Sequence, residues 1–134
     1  MQLQKYETKQ GEVLTLELAT TFFTRFRGLM LREKLPPNTG LYLAPCTSIH
    51  MMFMRFAIDA VYVTGGNDGT LIIQKVVTNL RPWLGLSMCP KAHGVIELAA
   101  GEAGRLGLTV GQLMVLTPPP LGEVAPKGSE RVTP

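Results

Sequence analysis

The stretch "AIDAVYVTGGNDGTLIIQKVV" (57–77) decides the fold. Ile58, Ala60 and Tyr62 alternate with Asp59, Val61 and Val63, the two-residue period of a strand. "GGNDG" (65–69) is a strong turn signal, and "TLIIQKVV" (70–77) has the β-branched character of a returning strand. A β-hairpin therefore sits in the middle of the chain. Asp59 lies inside its most apolar run, where a charged group needs a partner or water.

Working outward, further short extended segments appear on both sides. "QLQKYE" (2–7) and "VLTLELA" (13–19) flank the turn "TKQGE", which predicts a second hairpin. "GLYLA" (40–44), "SIHMMFMRF" (48–56), "VIELA" (95–99) and "TVGQLMVL" (109–116) also read as extended. "RPWLGLSMCPKAHG" (81–94) reads as a loop, broken by Pro82, Gly85 and Pro90. One clear helix is expected in "TTFFTRFRGLMLR" (20–32), because Phe22, Phe23, Phe26, Leu29 and Met30 share a helical face. Thr20 or Thr21 can cap it, and the prolines of "LPPNTG" (35–40) end it. "AGEAGRLGL" (100–108) has room for one or two helical turns.

Six or seven strands and one clear helix predict an α+β, mainly β class. The expected architecture is a small curled antiparallel sheet or barrel-like domain under one or two short covering helices. The 134 residues fit one domain. Its expected extent is 1–116. The end of the chain, 117–134, is rich in proline and poor in large apolar groups, and is expected to be a flexible tail.

Composition narrows the function classes. Apolar residues make up 46% and charged residues 17%, which is globular and oily. A net charge of +3 with scattered basic residues is too small for a nucleic-acid footprint, so no nucleic-acid partner is expected. No apolar run reaches the ~18 residues of a membrane helix. "MQLQKYETKQ" lacks the layout of a secretory signal, so a cytoplasmic location with free thiols is expected. No nucleophile elbow, phosphate loop or zinc-protease helix is present.

Three blocks, "RGLMLREKL" (27–35), "SIHMMFMRFAIDAVYV" (48–63) and "VIELAAG" (95–101), occur in an order and spacing that resembles the domain of unknown function 192 family of bacteria and archaea. The resemblance covers roughly residues 12–116, and its middle block is the most specific. It implies a small, mainly β domain with helical cover and assigns no activity or cofactor. Many relatives carry a signal peptide. Within the middle block this chain has "FMRFAID", which keeps a basic residue at Arg55 and the acid at Asp59.

Four groups of candidate residues follow from the chemistry of their side chains. "CTSIH" (46–50) and "CPKAH" (89–93) hold the two cysteines and two histidines of the chain. Cys46, His50, Cys89 and His93 form a two-thiolate, two-imidazole set suited to zinc. On a strand an i, i+4 pair is ~13 Å apart, and the usual Cys–x2–Cys knuckle is absent, so inert buried thiols or a Cys46–Cys89 pair compete with a metal. Met51, Met52 and Met54 beside His50 could serve copper(I), or fill gaps in a core. Arg55, Asp59 and Glu97 could form ion pairs, or a polar pocket in which His50 does acid–base chemistry. Trp83 is placed either to stack on a ligand or to cover the core. The leading expectation is a binding or accessory module for an unidentified small ligand or protein. Its polar groove would lie near His50, Arg55, Asp59 and Glu97, with Arg55, Trp83 and His50 as ligand-binding candidates. The alternatives are a small hydrolase using His50 with Asp59 or Glu97, and a zinc or copper domain. No cofactor is expected.

Overall fold

A computed structural model describes residues 3–19, 35–52, 54–65 and 69–117. The helix expected at 20–32 and nearly all of the expected proline-rich tail lie outside the described residues.

Nine strands and one short helix are found among them: β1 Leu3–Glu7, β2 Val13–Ala19, β3 Thr39–Leu43, β4 Ser48–His50, β5 Ile58–Gly65, β6 Thr70–Leu80, β7 Leu86–Met88, β8 Gly94–Ala99, α1 Glu102–Arg105 and β9 Leu113–Leu116. Seven strands close a barrel in the order β1-β2-β3-β8-β5-β6-β9, and β4 pairs with β7 as a separate ribbon. Both expected hairpins are present, with Tyr6 opposite Leu14 in the first and Val61 opposite Val76 in the second. One of the seven ladders departs from the expected antiparallel sheet: β2 and β3 run parallel, Leu16 facing Gly40. Parallel neighbours need a long connection, and β2 ends at Ala19 while β3 begins at Thr39.

The alternation in β5 builds two cores rather than one. Val61 and Val63 join Tyr6, Leu14, Leu16, Leu71, Ile73, Ile96, Leu98 and Met114 inside the barrel, so every barrel strand but β3 contributes from this group and β3 adds Tyr42. Ala103, Leu106 and Leu108, from α1 and the turn after it, join this core. The opposite face of β5 carries Ile58, Ala60 and Tyr62, which pack with Leu41, Leu43 and Val95 beneath Ile49 of the ribbon, Met51, Met54 and Cys89. This strand is thus dry on both faces, and Ile58 through Val63 are all buried. Gly40 allows β3 and β8 to approach: a Cβ there would stand 2.7 Å from Leu98 Cδ2 and 2.9 Å from the Glu97 carbonyl oxygen.

Two segments differ locally from their sequence reading. "SIHMMFMRF" is strand only over Ser48–His50, after which the Met54 amide turns back to the Met51 carbonyl at 3.1 Å. The expected 81–94 loop contains β7, held by a ladder in which Ile49 faces Ser87.

The ribbon is tied to the barrel wall by one buried polar contact. The Tyr62 hydroxyl lies 2.7 Å from the Ser87 hydroxyl. Tyr62→Phe leaves Ser87 buried without that partner and is expected to cost about 1–2 kcal/mol. Urea denaturation checks this, and a loss near zero contradicts the tie.

Candidate functional site

Asp59 has a structural job. Its side chain is fully buried. A bulge between Ile58 and Ala60 shifts the β5–β6 register and leaves the Asn79 amide without a ladder partner. Asp59 Oδ1 accepts that N–H at 2.9 Å. Its Oδ2 accepts from Gly101 N at 3.0 Å and Ala103 N at 2.9 Å. Gly101, the N-cap of α1, has no side chain to satisfy these amides, so a carboxylate from β5 caps the helix in its place. Of the two acids weighed as partners for Arg55, Asp59 has its carboxylate held by three backbone amides.

Glu102 makes a second such anchor. Its Oε1 accepts from Asn38 N at 2.9 Å and from Arg105 at 2.8 Å, while Oε2 accepts from Arg105 Nε at 2.6 Å. The Arg105 hydrogen bonds lower the Glu102 pKa below its ordinary 4.5, burial opposes this, and the Asn38 amide adds to the lowering. A carboxylate lowered in the folded state stabilises the fold above its unfolded pKa, and that stability is lost as pH falls through the folded value. Glu102→Gln is thus expected to cost about 1–2 kcal/mol at neutral pH. It should also flatten the decline in stability below pH ~4.5. Denaturation across pH checks both, and an identical acid decline in the variant contradicts the assignment.

Glu97 faces the other core. It is buried on β8 between Ile96 and Leu98, which point into the barrel, and is level with Val95, which packs outside it. Burial raises the Tyr62 pKa, the Ser87 bond opposes that, and the nearby Cys46, Cys89 and Glu97 push it further up. The tyrosine, both thiols and Glu97 thus share the layer beneath the ribbon. Both cysteines are free thiols, and Cys46 donates to the Ser48 carbonyl at 3.1 Å.

His50 is turned away from that layer. Ile49 is buried, so its neighbour His50 is exposed on the outer face, where Nδ1 accepts from Met52 N at 3.3 Å. His50, Asp59 and Glu97 therefore occupy three places: the outer ribbon face, the barrel end by α1, and the layer between. The proposed acid–base site using His50 with Asp59 or Glu97 is not assembled. Among the described residues no three His, Cys, Asp or Glu side chains gather to hold a metal, so Cys46, His50, Cys89 and His93 do not form the tetrahedral set weighed from their spacing. Met51 and Met54 fill the outer core, whereas Met52 is exposed.

Of the three ligand-binding candidates, His50 and Trp83 lie at the same end of the β4–β7 ribbon. His50, Arg55 and Trp83 are all exposed. The Trp83 amide donates to the Met51 carbonyl at 2.7 Å, and Met51 N donates to Gly85 O at 3.0 Å, which fixes the Trp83 turn against the end of β4. Trp83 has φ 69°, a left-handed backbone that non-glycine residues adopt at a cost of ~1 kcal/mol or more. Gly85 is required there, since a Cβ would stand 2.7 Å from Met51 Cγ and 3.1 Å from Arg81 O. The turn thus holds the indole outward, 56% exposed, rather than as a cover on the core.

Sequence reasoning missed the residues beside it. Leu84 is 79% exposed, Leu86 74% and Met88 58%. On β7 the small polar Ser87 faces the core while Leu86 and Met88 face solvent. The loop reading of 81–94 assigns these residues to neither face, and a three-residue strand is too short for its alternation to stand out. The cue available was "WLGLSM", with apolar residues at 84, 86 and 88 in a segment broken by Pro82 and Gly85.

At least one cation lies against this apolar face. Lys75 Nζ donates to the Met88 carbonyl at 2.8 Å, and Gly85 N donates to the Arg81 carbonyl at 2.9 Å. Lys75, Arg81, Lys91 and Arg55 are exposed. The sole described acid between 35 and 96 is the buried Asp59. No described helix is long and apolar enough to cross a membrane.

Comparison with known proteins places this architecture. The profile of DUF192, described as "Uncharacterized ACR", matches residues 4–116. A UPF0127 protein of Thermococcus sibiricus is 31% identical over 112 residues, covering 76% of this chain and 67% of that protein. The solved structure of a candidate transcription regulator from Sinorhizobium meliloti is similar with TM-score 0.71 and 25% identity, over 85% of this chain and 92% of that one. A protein of unknown function from Novosphingobium aromaticivorans shares the fold with TM-score 0.70 and 23% identity, over 84% and 82%. With its profile spanning nearly all of the barrel and a relative matched over most of its length, the chain belongs to the domain of unknown function 192 family.

Proposed function

We infer that this protein is a binding module whose recognition face is the outer side of the β4–β7 ribbon together with the Trp83–Gly85 turn. The observation that carries the reading is the inverted β7: Ser87 is spent on Tyr62 inside, and Leu86 and Met88 are left in water. Contiguous exposed apolar groups on a small domain disfavour solubility and mark interaction surfaces. A left-handed Trp83 and an obligatory Gly85 hold that surface in shape, the pattern of local strain retained for function. The groove expected near His50, Arg55, Asp59 and Glu97 contracts to an apolar face rimmed by His50 and Arg55. The regulator description of the Sinorhizobium protein is not carried over, because four separate cations supply no continuous track for phosphates.

The test immobilises the full chain on resin and measures retention of a partner from an extract of its own source. Wild type and a Val110→Ser/Val115→Ser control, both apolar sites exposed elsewhere, are expected to retain the same species. Leu84→Ser/Leu86→Ser is expected to lose it. Retention by the ribbon variant contradicts the reading.

A further inference from the structure

The ribbon face combines two features that point to one class of partner. Its apolar groups protrude: Leu84 and Leu86 are each about three-quarters exposed, more than side chains lining a groove can be. Cations accompany them. Lys75 Nζ is anchored on the Met88 carbonyl, and the exposed Arg81 and Lys91 flank the segment that carries Trp83, Leu84, Leu86 and Met88. A second copy of this chain would set cations against cations, so self-docking is disfavoured by charge. An exposed indole, exposed aliphatic groups beside it and cations in the flanking positions match the three layers of an anionic membrane surface.

Building on the binding-face reading above, we propose that the outer face of the β4–β7 ribbon and the Trp83–Gly85 turn dock on an anionic phospholipid surface. Trp83, Leu84 and Leu86 enter the interfacial layer, and Lys75, Arg81 and Lys91 meet headgroup phosphates. The protein lies on the surface through this face.

Trp83 is the one tryptophan in the chain, so its emission reports on this face directly. The full chain is titrated with vesicles of phosphatidylcholine alone or mixed with phosphatidylglycerol, and binding is checked by co-sedimentation. The expected result is a blue shift and sedimentation with the anionic vesicles, reversed by high salt because the attraction is screened. Lys75→Gln/Arg81→Gln should weaken binding by about 25-fold, at about fivefold per cation. Leu84→Ser/Leu86→Ser should abolish it, and Val110→Ser/Val115→Ser should leave it unchanged. Absence of binding to anionic vesicles overturns the proposal, as does equal binding to phosphatidylcholine alone or binding that survives Leu84→Ser/Leu86→Ser. If vesicles fail while resin retention of a protein still depends on Leu84 and Leu86, the lipid assignment falls and the binding face stands. If both fail, both fall.

Discussion

Asp59→Ala is expected to lower the unfolding free energy by about 4 kcal/mol. The variant leaves the amides of Asn79, Gly101 and Ala103 without their acceptor, and the Ala103 amide is buried. Each abandoned buried donor costs roughly 1–3 kcal/mol. Asp59→Asn is expected to be nearly as damaging despite its shape. Its NH₂ replaces one carboxylate oxygen and points a donor at a donor. Against a domain stability of ~5–15 kcal/mol, either loss is large. Urea denaturation with an unchanged slope shows it as a shifted midpoint. A loss below about 1 kcal/mol contradicts the capping role and returns Asp59 to the list of functional acids.

Leu84→Ser/Leu86→Ser is expected to have the opposite profile. Both side chains are mostly in water, so folding stability should stay within about 0.5 kcal/mol of wild type. Binding should weaken by about 100-fold or more, because burying a leucine contributes roughly 1.5–3 kcal/mol at an interface. The thermal midpoint and the dissociation constant for the partner, read on the same preparation, separate the two effects. A variant that unfolds shows that the leucines belong to the core. One that binds like wild type shows that the face is idle.

The parts of the fold that depend on neighbours in sequence were legible. The β5–β6 hairpin follows from period-two runs around "GGNDG", and the β1–β2 hairpin from the same logic around "TKQGE". The parallel β2–β3 ladder was not legible, because a half-buried strand alternates alike whichever way its partner runs. The dry second face of β5 was hidden for a related reason. Val61, Tyr62 and Val63 show that the strand is oily, and only the ribbon folded over it shows why.

The candidate site divided along the same line. Asp59 was correctly singled out as a carboxylate that needed partners, but its partners come from 20, 42 and 44 residues away. Nothing near it in sequence could announce them. His50, Arg55 and Trp83 are legible by their chemistry, and all three stand exposed. Leu84, Leu86 and Met88 escaped because hydrophobic residues are read as core unless a structure turns them outward.

Site-directed photo-crosslinking tests the central claim most directly. A photoreactive amino acid is placed at Leu84 on the ribbon side, or at Val115 on β9, and the full chain is irradiated in cells of its source. The account predicts a discrete adduct, to lipid or protein, from position 84 and none from position 115. Equal labelling at the two positions, or labelling from 115 alone, would contradict it.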